Sequence, residues 1–228
     1  GFTNSGTIKA SNALSLSGQA IDNRGGNLQS GGLMALNTTG DIDLTSASVK
    51  AGSLQLQTGH DLKLNTDAKT MAVTGPGGTR ASTMLGRVAS LEVAGDALIQ
   101  TGGNLEQKGA QLKVGGDLAA DIQGDWQITT QQTRETTRVN RMGGHSFTDT
   151  VQNVGSVIQV GGQSDLRTGG NLIAQGAQID LQGGGSIQAG GNVELQAAKN
   201  SFNLDATSAS KRSSSSLKTY DETVVGTS

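Results

Sequence analysis

The chain holds 228 residues, of which 35 are glycine, one is proline (Pro76), none is cysteine and five are aromatic (Phe2, Trp126, Phe147, Phe202 and Tyr220). Apolar residues make up 33% and are nearly all Leu, Val, Ile and Ala, enough for a narrow core and too few for a thick spherical one. A net charge of −2 leaves no electrostatic footprint for nucleic acid or an anionic membrane, and no apolar run approaches the roughly 18 residues that a membrane span needs.

From Ile8 onward, short segments alternate apolar and polar residues, as in Ile42-Asp43-Leu44, Leu54-Gln55-Leu56 and Leu62-Lys63-Leu64. That period of two marks strands with one buried face, and Gly-Asp, Gly-Asn or Gly-Gly pairs bound each of them as turns. The apolar positions recur about every 21 residues: Leu28, Leu33, Leu36 and Ile42 align with Val49, Leu54, Leu56 and Leu62. Further along, Leu91, Leu98 and Leu105 align with Leu112, Leu118 and Trp126, and Leu166 and Leu172 with Ile187 and Val193. One phrase occurs twice, as TGGNLEQKGAQL from Thr101 and as TGGNLIAQGAQI from Thr168, and in shorter form at Thr38 and Thr58. Three short strands and three turns fill one circuit of about 20 residues. The predicted fold is therefore all-β, a parallel β-helix of stacked coils whose aliphatic residues form continuous files. Asn171 and Asn192, one coil apart, are placed to ladder their side chains.

The pattern breaks after Leu64, after Ile128 and after Leu204. Lys69–Leu85 around Gly75-Pro76-Gly77-Gly78, and Thr129–Val154 around Gly143-Gly144, read as β-prone runs joined by turns, that is, as extruded hairpins or loops. The third break begins at Asp205–Ser216 and is expected to remain open at the end of the chain. The predicted organisation is one β-helical repeat segment over 1–228, a fragment of a longer chain, with insertions at about 65–87, 129–155 and 205–228. In the middle insertion, Arg134, Arg138, Arg141 and Phe147 form a candidate contact surface, against Glu135 and Asp149.

Catalytic and metal chemistry is sparse. His60 and His145 lie far apart with no Cys or second His at ligand spacing, so neither a metal site nor a cofactor is expected. His60 is assigned to a turn position equivalent to Gly103. No phosphate-binding loop, nucleophile elbow or dinucleotide fingerprint is present. The enzymatic alternative is a β-helix polysaccharide lyase or glycosidase, which needs carboxylates converging from neighbouring coils. Asp41 with Asp61, and Asp96 with Asp117, have the spacing, but each lies in a tight turn where Asp caps local backbone N–H groups.

The GGNL-x-x-x-GAQ phrases, the Gly-Asp corners and the run AAKNSFNLDATSASKRSSSS resemble the haemagglutinin repeats of filamentous-haemagglutinin-type exoproteins, including those of contact-dependent growth inhibition. The resemblance covers essentially the whole chain. It implies a right-handed β-helical filament, exported with the help of an outer-membrane partner transporter and displayed on the bacterial surface. It implies use in adhesion or in carrying a toxin domain to a neighbouring cell, with the target outer membrane and an unspecified receptor or glycan as further partners. It carries over no catalytic residue.

Overall fold

A computed structural model describes residues 1–228, which form strands joined by turns, bends and short irregular links, with no helix. Twenty-two short strands form three parallel sheets of eight, seven and seven strands, and six longer ones form an antiparallel sheet. Each coil contributes one strand to each parallel sheet in turn, for example Leu105–Lys108, Gln111–Val114 and Leu118–Ile122, giving a right-handed parallel β-helix. Seven coils are complete, and Val193–Gln196 begins an eighth.

The interior is one cluster of 33 buried residues, so the shaft has a single continuous core. Its files run through Ile42, Leu62, Leu105, Trp126 and Leu172 in the first sheet and through Val49, Leu91, Leu112 and Ile158 in the second. Trp126 is fully buried between Leu105 and Leu172, as the 21-residue register predicts. The register differs at two points. Leu33 pairs with Ser53 and is half exposed, whereas Met34 pairs with Leu54 and is buried. Leu98 likewise points outward beside Gln55 and Ala119, and Ala97 and Ile99 fill the core. In both places adjacent apolar residues blur the alternation, and a slip of one residue exchanges the faces of a strand.

The phrase TGGNL follows from stacking. The Thr101 hydroxyl, inside the turn, donates to the Gly103 carbonyl at 2.9 Å. A Cβ on Gly102 would lie 2.1 Å from the Gly59 carbonyl oxygen of the neighbouring coil. The Asn104 side chain accepts a bond from the backbone of the next coil, and Leu105 enters the core. Asn171 and Asn192 are linked in the same way: Asn171 Oδ1 accepts from the Asn192 backbone N–H at 2.8 Å, not from its side-chain amide.

Candidate contact surface

All three long hairpins leave the shaft at one corner, between its first and second sheets. They span Ala68–Leu85, Gln131–Val154 and Ala198–Val225. The coils between them close that corner with a left-handed residue, Gly109 at φ 59° and Gly176 at φ 54°. Below the first hairpin the same position is held by Gly25 at φ 69° and Ser46 at φ 51°. Glycine adopts this conformation without steric cost. The GAQ phrase is thus a closed corner: a left-handed Gly, a buried Ala110 or Ala177, and a Gln at the start of the next strand.

Hairpins occur on alternate coils, and this spacing joins them into one sheet. Two coils rise about 9.6 Å, and a hairpin is two strands wide, also about 9.6 Å. Gly78–Ser82 therefore pairs with Glu135–Val139, and Gly144–Val151 with Ser201–Ser208. The product is a six-stranded antiparallel fin standing along one edge of the shaft.

The third hairpin corrects two expectations. It starts at Ala198 rather than Asp205, because Ala198–Leu204 already pairs with Thr219–Val225. It also closes. Thr227 Oγ1 donates to the Gln196 carbonyl at 2.6 Å, and the Ser228 carbonyl accepts from Ile179 N–H at 2.7 Å. The second hairpin has the same stitch, with Ser156 Oγ donating to the Thr129 carbonyl at 2.7 Å and to the Gln107 carbonyl at 3.0 Å.

Residues side by side across the ladder share a face, and the two faces of the fin differ. One carries Arg134, Arg138, Phe147, Asp149, Asp205, Lys218, Tyr220 and Glu222. The Arg134 guanidinium makes a two-pronged contact with Asp149, at 2.8 and 2.6 Å, and holds that carboxyl below the usual range. The Arg138 guanidinium lies 5.2 Å from the Phe147 ring centre, a cation–π contact. Lys199 and Tyr220 both bind Glu222 and likewise lower its carboxyl. The opposite face presents Met71, Val73, Met84, Val139, Phe202, Leu204 and Leu217, with Arg80 and Glu135 paired among them. Of the four candidate residues, Arg134, Arg138 and Phe147 share the charged face. Arg141, opposite Gly144 near the tip, projects from the other one.

The turn carboxylates act in the shaft. Asp41 accepts from Asp61 N–H at 3.1 Å, Asp61 from Asn104 N–H at 2.7 Å, Asn104 from Asp125 N–H at 2.9 Å and Asp125 from Asn171 N–H at 2.7 Å. A second ladder runs from Asp96 to Asp117 N–H at 2.9 Å and from Asp117 to Gln163 N–H at 2.7 Å. These side chains bond the next coil rather than their own turn, and so clamp successive coils together. His60 stacks under Gly103, its backbone carbonyl accepting the Gly103 N–H at 2.9 Å, and the His145 ring Nδ1 lies 3.0 Å from the Thr207 hydroxyl on the fin.

Arg87, which the sequence pattern did not single out, leaves the base of the first hairpin and clamps the corner below it. Its guanidinium donates to the carbonyls of Gly25 at 2.8 Å, Gly26 at 3.0 Å and Ser46 at 2.9 Å, and to the Asn27 side chain at 2.7 Å.

The Haemagglutinin repeat family matches residues 1–69 and 49–133, and a second Hemagglutinin repeat family matches residues 140–226. The chain belongs to the haemagglutinin-repeat family. It is 48% identical over 223 residues to "tRNA nuclease CdiA-2" of Burkholderia pseudomallei strain 1026b, covering 97% of this chain and 7% of that protein. A "tRNA nuclease CdiA" of Burkholderia pseudomallei is 45% identical over 83% of this chain and 15% of its own length. "Toxin CdiA" of Yersinia pestis is 36% identical over 99% of this chain and 7% of its own length. The chain thus spans a small part of these relatives, and their named activities belong to the whole proteins. No solved structure matches it.

Proposed function

We propose that this chain is one continuous β-helical repeat segment of a large bacterial surface exoprotein. It forms part of a filament used in adhesion or in delivering a toxin domain to a neighbouring cell. The observation that carries this reading is the marriage of hairpin and coil spacing, which makes a stiff shaft with a regular lateral fin and employs the turn carboxylates as clamps. Likeness to the CdiA proteins supports secretion to the cell exterior with an outer-membrane transporter as partner. Coil-on-coil folding outside the membrane would oppose back-sliding during export, since each added coil gains a partner only after it emerges. In this reading the fin is the contact surface toward the target cell, with Arg134, Arg138 and Phe147 on one face and Arg141 near its rim.

The test is an in-register deletion of residues 131–197 from the parent protein, which removes one hairpin and two coils. Surface display should persist while the filament shortens by about 10 Å, two strand spacings. Loss of display from an otherwise stable protein would overturn a purely modular role. Release of reducing or unsaturated ends from a panel of polysaccharides would overturn the structural reading in favour of a carbohydrate-active one.

A further inference from the structure

The fin has an open edge that the shaft leaves uncovered. Ala68–Gly75 pairs with Gly78–Leu85 on one side and with no strand on the other, because the coil two steps below turns its corner at Gly25 instead of extending a hairpin. Half of its backbone N–H and C=O groups face outward in a row, a template for one further strand. The edge is poorly defended. Lys69 is its single charge, Pro76 lies beyond the ladder, and Met71 and Val73 are 62% and 70% exposed.

We propose that this edge pairs with the same edge of a second copy of the chain, extending two fins into one twelve-stranded sheet. The residues select that occupant. Thr70-Met71-Ala72-Val73-Thr74 has the same pattern of residue character in both directions about Ala72: Thr, large apolar, Ala, large apolar, Thr. Antiparallel pairing centred there sets Ala72 against the partner's Ala72, Met71 against the partner's Val73 and Thr70 against the partner's Thr74. A residue-centred register also brings outward-pointing backbone groups opposite one another, as a ladder requires. The two Met–Val pairs form an aliphatic cluster on one face, and Lys69 meets the partner's Gly75 instead of a like charge.

A second observation points the same way. Gly75 and Gly77 have nothing within 4 Å of an added Cβ and lie outside the left-handed region, so the hairpin itself does not call for glycine at either position. In the dimer, Gly75 lies opposite the partner's Lys69 and Gly77 beside the partner's Asp67 at the hairpin base, so that Pro76 is the one side chain this turn brings to the junction.

Sedimentation of the 228-residue chain over a wide concentration range should show a reversible dimer. Because the chain has no cysteine, single substitutions report the register cleanly. Ala72→Cys should give a disulfide-linked dimer under mild oxidation. Thr70→Cys alone should not, and an equimolar mixture of Thr70→Cys and Thr74→Cys should. Val73→Lys should abolish the dimer and leave the thermal transition in place. A chain that remains monomeric at every concentration would overturn the proposal, as would Thr70→Cys cross-linking as fast as Ala72→Cys. A dimer undisturbed by Val73→Lys would place the contact elsewhere and overturn it too.

Discussion

Gly124 and Asn104 compete for one space. A Cβ on Gly124 would fall 2.3 Å from Asn104 Oδ1, the atom that receives the Asp125 N–H at 2.9 Å. The Gly103 backbone carbonyl lies 2.9 Å from the same point, so neither neighbour can withdraw easily. Gly170 meets Asp125, Gly191 meets Asn171 and Gly162 meets Asp117 in the same manner, at 2.2 to 2.4 Å. Gly124→Ala should destabilise by about 1–3 kcal/mol, the usual cost of overpacking. A shifted denaturant midpoint with an unchanged slope is the expected result.

Asp and Asn are both used along this ladder because either side-chain oxygen can accept the N–H of the next coil. Asn104→Asp keeps the acceptor and should cost less than its loss, although at pH 7 it sets a third carboxylate between those of Asp61 and Asp125 on the coils either side. Asn104→Ala leaves the Asp125 N–H without its acceptor and should cost about 1–2 kcal/mol. A larger loss for Asp than for Ala, measured by denaturant unfolding, would contradict the acceptor role.

The coil period, the Gly-Asp and Gly-Asn corners and the first two hairpins were legible in the sequence because each repeats with a fixed residue chemistry. The Leu105–Trp126 file could be aligned across 21 residues despite the change from aliphatic to indole. What escaped was relational. Leu33 and Met34 are both apolar, so composition could not say which faces inward. Asp41 and Asp96 looked like local turn caps, since the distance from one coil to the next has no trace in a linear motif. The join of three hairpins into one fin depends on strand width equalling coil rise, which only the three-dimensional spacing reveals. Arg87 has no repeat partner in the sequence, and its clamp on Gly25, Gly26 and Ser46 spans 41 to 62 positions.

That clamp gives a sharp contrast between two cations. The planar fork of Arg87 reaches carbonyls on two coils at once, which a single ammonium cannot imitate. Arg87→Ala should lower stability by about 1–2 kcal/mol. Arg87→Lys should recover less than half of that loss in thermal melts. Full recovery by lysine would mean that charge, rather than geometry, holds the corner.

Trp126 is the sole tryptophan and reports the coil that bears the second hairpin. Its emission should be blue-shifted in the native state and should move to the red in step with loss of the β circular-dichroism signal. Trp126→Ala should cost about 3–5 kcal/mol, as removing a large ring from a close-packed core does. Separate fluorescence and circular-dichroism transitions would show that this coil opens independently of the rest.

The Arg134–Asp149 pair fixes how the fin responds to acid. Hydrogen bonding to the guanidinium lowers the Asp149 carboxyl, so its folded pKa lies below its unfolded value. The pair's contribution is complete above the unfolded value of about 3.9 and fades as pH falls through the lower, folded one. Arg134 is 58% exposed, so solvent screens the attraction and the contribution should be roughly 0.5–1 kcal/mol. Arg134→Met should remove it at pH 7 and make no difference in strong acid, where the wild-type carboxyl is protonated as well. The stability gap between the two proteins should therefore close on acidification, and a gap independent of pH would assign the loss to packing of the arginine stem instead.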